Sequence, residues 1–301
     1  MNQPPVRTSL PAAGALLAQE WARDHFWRRC PICDSDNRPG DPLPDAPPPW
    51  RLKSCRSCNF VYLENPPGYQ ALEHEFAWER TWAAEAARRQ AVEPWLHRVG
   101  AAAWAVNPRR MLRPKMVRLV QHFAGGGNLL DLGCGKGRLG VAVGPAFVPY
   151  GVEISRELAA GAAVHFRGRG GDVLNCPALE GVHRFGPEFF AAVVMKSYLE
   201  HELQPREVLV ATAQVMRPGG ALVIKVPNFA SFNRRVRQAR WCGFRHPDHV
   251  NYFTPKSLIS LVQSCGFEVA RCGLRDRWPW SDNLWLVARK PAASRVFAKR
   301  V

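Results

Sequence analysis

Leu129-Leu130-Asp131-Leu132-Gly133-Cys134-Gly135-Lys136-Gly137-Arg138-Leu139-Gly140 is an apolar run that carries one acid near its end and passes into alternate glycines. The leucines suit a short buried strand. Glycines at 133, 135 and 137 let the backbone turn sharply and approach a ligand with no Cβ in the way, which reads as the cradle of a nucleotide-type cofactor. A helix opening near Gly137 would aim its unpaired N–H groups at an anion. The dinucleotide fingerprint G-x-G-x-x-G needs glycine at 138, where the chain has Arg138, so a nicotinamide dinucleotide suits this loop less well.

Outward from this loop, apolar stretches alternate with helical ones. Strands are expected at Asn128–Leu132, Pro149–Ile154, Gly170–Val173, Phe189–Met195, Ala221–Val226, Phe267–Gly273 and Leu284–Arg289. Helices are expected at Arg138–Val143, Arg156–Phe166, Arg206–Met216 and Pro255–Ser264. Such alternation implies an α/β fold, Rossmann-like and doubly wound, with a mostly parallel seven-stranded sheet. The last two strands are joined by a loop without helical pattern, which allows an antiparallel terminal pair.

The pattern D-x-G-x-G-x-G after an apolar strand resembles motif I of class I S-adenosylmethionine (SAM) dependent methyltransferases. The resemblance covers about residues 125–289. It makes SAM the expected cofactor and gives roles to Asp131, Gly133, Gly135 and Gly137 in the loop. Glu153, at the end of the second strand, would accept the ribose hydroxyls. Asp172, placed by the reading at the end of the third strand, would contact adenine. Met195 and Lys196, closing the fourth strand, would border the cofactor. An acid at a strand end can also merely cap the next helix; three acids at successive strand ends favour a shared ligand.

The fourth strand leads into Leu199-Glu200-His201, which resembles the L-E-H segment of small-molecule methyltransferases of the ubiquinone-pathway O-methyltransferase and sugar C-methyltransferase kind. In that resemblance His201 faces the methyl acceptor as a general base, with Glu200 orienting it or binding substrate. A helix-start or core histidine is the competing reading. Met216-Arg217-Pro218-Gly219-Gly220 resembles the turn before the family's fifth strand. His249 to Leu258 resembles the tail H-x-x-x-F-T-x-x-S-L, with Gly266-Phe267 beyond. The segment 229–248, rich in Arg and aromatics, would form the heart of a substrate lid at 228–256. His246 and His249 are second-rank catalytic candidates for which a structural role is favoured.

Four of the nine cysteines stand apart. Cys30, Cys33, Cys55 and Cys58 form C-x2-C-x21-C-x2-C, a spacing that lets two tight turns present thiolates to one tetrahedral zinc. With every position filled by cysteine the metal would be structural. Cys134, Cys176, Cys242, Cys265 and Cys272 are expected to be free thiols buried as small hydrophobes. The organisation expected is therefore a loose tail over 1–29, a zinc ribbon over 30–68, a helical connector over 69–124 and the methyltransferase domain over 125–301. Trp78, Trp82, Trp95 and Trp104 would form the core stripe of the connector. The N-terminus makes a poor signal peptide and no apolar run reaches transmembrane length, which favours a cytoplasmic protein.

Forty-one basic against 25 acidic residues give a net charge of +16. The excess invites a polyanion, RNA included, although the arginines are scattered over the whole length. Three functions follow. The favoured one is SAM-dependent methyl transfer to a small metabolite or sugar-type acceptor, at oxygen or carbon. A ribosomal or transfer RNA methyltransferase would use the ribbon and basic surface instead, and an inactive zinc-ribbon/Rossmann binding protein would need no chemistry. Oligomeric state is left open.

Overall fold

The structure, a computed structural model, describes residues 27–68 and 114–292. Residues 1–26 of the expected tail, most of the helical connector and its four tryptophans lie outside the described residues. Strands β1 (Leu52–Ser54) and β2 (Val61–Leu63) precede helix α1 (Lys115–Ala124). There follow β3 (Gly127–Leu132), α2 (Arg138–Ala142), β4 (Phe147–Val152), α3 (Arg156–Arg167), β5 (Val173–Leu174), α4 (Ala178–His183) and β6 (Phe190–Lys196). The chain continues through α5 (Pro205–Val215), β7 (Met216–Pro227), α6 (Phe232–Arg237), β8 (Asn251–Tyr252), α7 (Pro255–Ser264), β9 (Glu268–Arg271) and β10 (Asn283–Arg289).

The main sheet has seven strands in the order β5-β4-β3-β6-β7-β10-β9. β5 through β7 run parallel, and β10 and β9 are antiparallel to their neighbours. The chain builds outward from β3 to β5, then returns to place β6 against the other edge of β3. That reversal opens a crevice at the carboxyl ends of β3, β4 and β6.

Alternation along the strands fills both faces. On one face Met116, Val117 and Val120 of α1 pack with Leu129, Val194 and Val223. On the other, Leu130, Leu132, Val193 and Ile224 meet residues of α4, α5 and α7. β6 is buried from Phe190 to Met195, as a central parallel strand covered on two sides must be. Sequence signals fix the helices around it: Thr254 and Ser257 form a capping box on α7, and Ser155 caps α3.

The second sheet is small and antiparallel, with the order β1-β2-β8. Val61 pairs with Tyr252 and Tyr62 with Asn251, so the four-cysteine module shares a sheet with the segment after β7. Trp241 fills one face of it, with Leu52, Val61, Phe244 and Tyr252 around the ring and its indole N–H donating to Asp282 Oδ1 at 2.7 Å. Among the described residues no helix is long and apolar enough to cross a membrane.

Some local expectations shift. The third strand is Val173–Leu174 rather than Gly170–Val173, because Gly170 is left-handed (φ 80°) and delays entry into the sheet. Asp172 therefore precedes this strand instead of ending it. The fifth strand begins at Met216, running through the Pro-Gly turn with a register shift against β6. Cys134, Cys176 and Cys265 are buried, whereas Cys242 and Cys272 are only partly so.

Candidate active site and metal sites

The glycine loop crosses the carboxyl end of β3. Gly133 donates to Val152 O at 2.9 Å, which ties the loop to β4. Gly135 and Gly137 are left-handed, at φ 52° and 70°. Space above Gly135 is open for 4 Å, whereas a Cβ on Gly137 would meet Phe166 at 2.9 Å. One glycine thus leaves room for a ligand, and the other admits α3. Helix α2, which starts here, is only five residues long, so the loop amides rather than a helix terminus line the cradle.

Two carboxylates face this loop. Glu153 is buried; its Oε2 accepts from Gly135 N at 2.8 Å and its Oε1 from Ser155 N at 3.0 Å. Asp131 is 4% exposed, and among the described residues its carboxylate accepts no hydrogen bond. Burial pushes its pKa up to about 8, against the pull of Lys196 and with Glu153 adding to the rise. A buried, unbonded carboxyl beside an open glycine turn suits a ligand with an ammonium group. The residues present therefore fit the cofactor expected from the sequence.

The remaining cofactor candidates divide. Met195 is fully buried, and Lys196 is exposed at the strand end. Asp172 pairs with Arg167 at 2.8 Å. The residue at the carboxyl end of β5 is Asn175, whose amide donates to Glu153 O at 2.9 Å and Ile154 O at 2.8 Å. Sequence reasoning passed it over because the strand was expected to end at Val173, one residue short of its observed end at Leu174.

After β6 the chain turns through Ser197 (φ 53°) into Tyr198 to Glu202. Glu200 is 1% exposed, and its Oε2 is buried without a hydrogen-bond partner. Burial pushes this carboxyl up to about 7, against Lys225 and Arg245. His201 is part-buried; its Nδ1 lies 2.9 Å from Asp248 O. A carbonyl only accepts, so Nδ1 carries the proton and Nε2 keeps its lone pair. Burial, reinforced by Arg245, pushes the ring down to about 4.

His249 joins this site from 48 residues away. Its ring meets His201 edge-on with centroids 4.7 Å apart, and its Nδ1 lies 2.7 Å from Gly243 O. The backbone brings it there: Val250 N and Asn251 N donate to Glu200 O at 2.8 and 3.1 Å. Asn251 Nδ2 then clamps Leu199 O and Glu202 O at 2.8 and 2.6 Å. The sequence signal is His249 and Asn251 ahead of Phe253-Thr254, and the structure places His249 against His201. His246 points elsewhere, to the hydroxyl of Tyr252 at 3.2 Å.

Arg28 staples the ribbon to this turn. Its guanidinium donates to Leu63 O at 2.9 Å, Leu203 O at 3.1 Å and Asn251 Oδ1 at 2.9 Å, and also to Val250 O. Arg206 Nε answers from α5, donating to Ile32 O at 3.0 Å.

The four ribbon thiols converge. Cys30 and Cys58 sulfurs are 3.6 Å apart, Cys33 and Cys55 sulfurs 3.5 Å, and all four lie within 4.8 Å. A zinc tetrahedron with bonds of about 2.3 Å has edges of about 3.8 Å, so the donor set fits that ion. Each knuckle closes the same way: Asp34 N donates to Cys30 O and Asn59 N to Cys55 O, both at 2.9 Å. Asp34 and Asn59 sit at φ 58° and 59°, a conformation these side chains tolerate.

Residues 104–271 match a family model described as a methyltransferase domain. A ubiquinone biosynthesis O-methyltransferase of Aromatoleum aromaticum is 26% identical over 198 residues, covering 62% of this chain and 84% of that protein. A protein of the same description from Idiomarina loihiensis is 29% identical over 156 residues, 50% of this chain and 61% of its own. Among solved structures, a SAM-dependent methyltransferase of Thermotoga maritima, described as a possible histamine N-methyltransferase, shares 20% identity. It aligns with a TM-score of 0.49 over 71% of this chain and 98% of its own.

Proposed function

The chain belongs to the methyltransferase-domain family and is a SAM-dependent methyltransferase; from that premise we propose that it methylates a hydroxyl oxygen of a small metabolite. The observation that carries the reading is the tautomer of His201. With Nδ1–H held by Asp248 O, Nε2 is an acceptor at the carboxyl end of β6, where an acceptor hydroxyl would enter. Relatives that carry O-methyltransferase names support oxygen as the atom.

The cofactor supplies a methyl group on a sulfonium that leaves readily. The protein's task is alignment and removal of one proton. Asp131 would hold the cofactor's ammonium and Glu153 its ribose, with Gly133, Gly135 and Gly137 shaping the turn and the Met195–Lys196 backbone along its flank. Asp172 would reach adenine only after releasing Arg167. Glu200 would fix the turn that carries His201. A structural zinc on Cys30, Cys33, Cys55 and Cys58 would stabilise the module that props this turn.

The use of the arginines favours a small acceptor over RNA. Arg169 caps four carbonyls around α2 and β4, among them Gly140 O and Phe147 O, both at 2.8 Å. Arg289 reaches Gly219 O and Phe123 O, and Arg28 and Arg206 act similarly. These four arginines are therefore spent on backbone carbonyls of the fold. Methyl-labelled SAM, incubated with the protein and either small hydroxylated metabolites or RNA, tests the reading. Label in an ether or methoxy product is expected, and label in RNA alone overturns it.

A further inference from the structure

We infer that the methyl acceptor is an acid: Lys225, with Lys196 beside it, forms a seat for a carboxylate or phosphate group next to the turn that carries His201. Lys196 ends β6 and lies in register with Lys225 on β7, so the two side chains leave the same face of the sheet near its carboxyl end. Trp285 of β10 continues the row past Lys225 as a half-buried aromatic wall. Carboxyl ends beside a reversal of strand order are where such sheets bind their ligands.

Lys225 is fixed in place. Its carbonyl accepts the N–H of Ser197 at 2.8 Å and its ammonium donates to Ser197 Oγ at 2.9 Å, so backbone and side chain both grip the first residue of the turn. An ammonium carries three protons, and among the described residues this is the one hydrogen bond that the Lys225 ammonium makes. Among the same residues neither lysine forms an ion pair. Lys115, by contrast, stands over the Trp285 ring and is paired with Asp276 at 2.8 Å.

Like charges opposed across two strands repel, and burial adds to the cost. Burial pushes the Lys225 ammonium down, with Glu200 resisting and Lys196 adding to the fall. The buried carboxyls that face these charges cancel little of them at neutral pH. Burial pushes Asp131, toward Lys196, up to about 8 and Glu200, toward Lys225, up to about 7. The charge of Lys225 is felt at His201 too, where it adds to the lowering imposed by burial and Arg245. An anionic group on the acceptor relieves the repulsion. With the acceptor hydroxyl at His201 Nε2, that group gives a second point of attachment that aligns the reacting oxygen. The hydroxyl itself rests on the O-methylation reading; the anion adds the class of molecule that bears it, a hydroxy acid or a hydroxylated phosphate ester.

The probes are para-hydroxyphenylacetate, its uncharged amide and inorganic phosphate, titrated by calorimetry into the full, zinc-loaded chain with S-adenosylhomocysteine bound. The acid should bind at least about tenfold more tightly than the amide, the size of one charge-assisted hydrogen bond. Lys225→Met should erase that preference and Lys225→Arg should keep it, with S-adenosylhomocysteine affinity in both variants as in wild type. Displacement of the bound acid by phosphate supports a seat for either anion, and resistance to phosphate supports one for carboxylates. Failure of the acid to bind, equal affinity for acid and amide in wild type, or a preference that survives Lys225→Met overturns the seat. So does a loss of S-adenosylhomocysteine binding in Lys225→Met that Lys225→Arg restores, which would give the lysine to the cofactor. Label from methyl-labelled SAM on a carbon or nitrogen of an anionic acceptor would sink the O-methylation reading and leave the seat standing.

Discussion

The carboxylate of Glu153 accepts the N–H of Gly135 at 2.8 Å, so the end of β4 holds the glycine loop after β3 in its ligand-ready shape. Glu153→Gln keeps an acceptor but loses the charge. Charge-assisted hydrogen bonds contribute about 1.5–3 kcal/mol, and SAM affinity should fall roughly tenfold or more by calorimetry. Gly135→Ala probes the other partner. Its Cβ enters open space above the loop, at a left-handed cost of about 1–2 kcal/mol. The thermal midpoint should drop by a few degrees while SAM binding is lost. Binding that survives in Gly135→Ala would mean the cradle lies elsewhere.

Asp131 should give SAM binding a pH dependence. With its pKa pushed up to about 8, this carboxyl is largely protonated at neutral pH in the free protein. An ammonium group beside it favours the ionised form, so binding releases a proton. Affinity should rise with pH, by at most about tenfold per unit, and level off above pH 8. Calorimetry at pH 7 in buffers of different ionisation heat should count the proton, and Asp131→Asn should abolish the release.

Arg28 links three segments, and its removal should separate acceptor chemistry from cofactor binding. Arg28→Ala leaves the carbonyls of Leu63, Leu203 and Val250 short of a donor. A loss on the order of 3 kcal/mol in stability is expected from denaturant melts. kcat/KM for the acceptor should fall severalfold with little change in SAM affinity, because Arg28 touches the His201 turn and not the glycine loop.

Metal analysis should find one zinc per chain, and Cys55→Ser should lose it. Structural sites of four thiolates contribute folding energy directly. A strong chelator should therefore lower the melting temperature and, through the β2–β8 pairing, the methyl transfer rate. Unchanged activity after complete zinc removal would separate ribbon and site.

The parallel sheet and its reversal were legible because buried strands write themselves as apolar runs. The glycine loop, Glu153 and the His201 turn follow from residues adjacent in sequence. What stayed hidden depends on long-range pairing. His249 reaches His201 only because Val250 and Asn251 bond to Glu200 O. The two-residue strand β8 carries no periodicity that marks it as a partner of β2. Asp172 was placed at a strand end by pattern, and one left-handed glycine moved the strand past it.

The shared β1-β2-β8 sheet also governs how this protein can be divided. A form trimmed to begin at α1 would retain the whole seven-stranded sheet, yet it would bare Tyr252, Phe253 and Trp241, all buried in the full chain. Such a fragment would tend to aggregate before its catalytic competence could be judged. Exchanging the ribbon for that of another protein would equally require exchanging the segment after β7. The four-cysteine module and the segment after β7 are one inheritable unit, and shuffling must move them together.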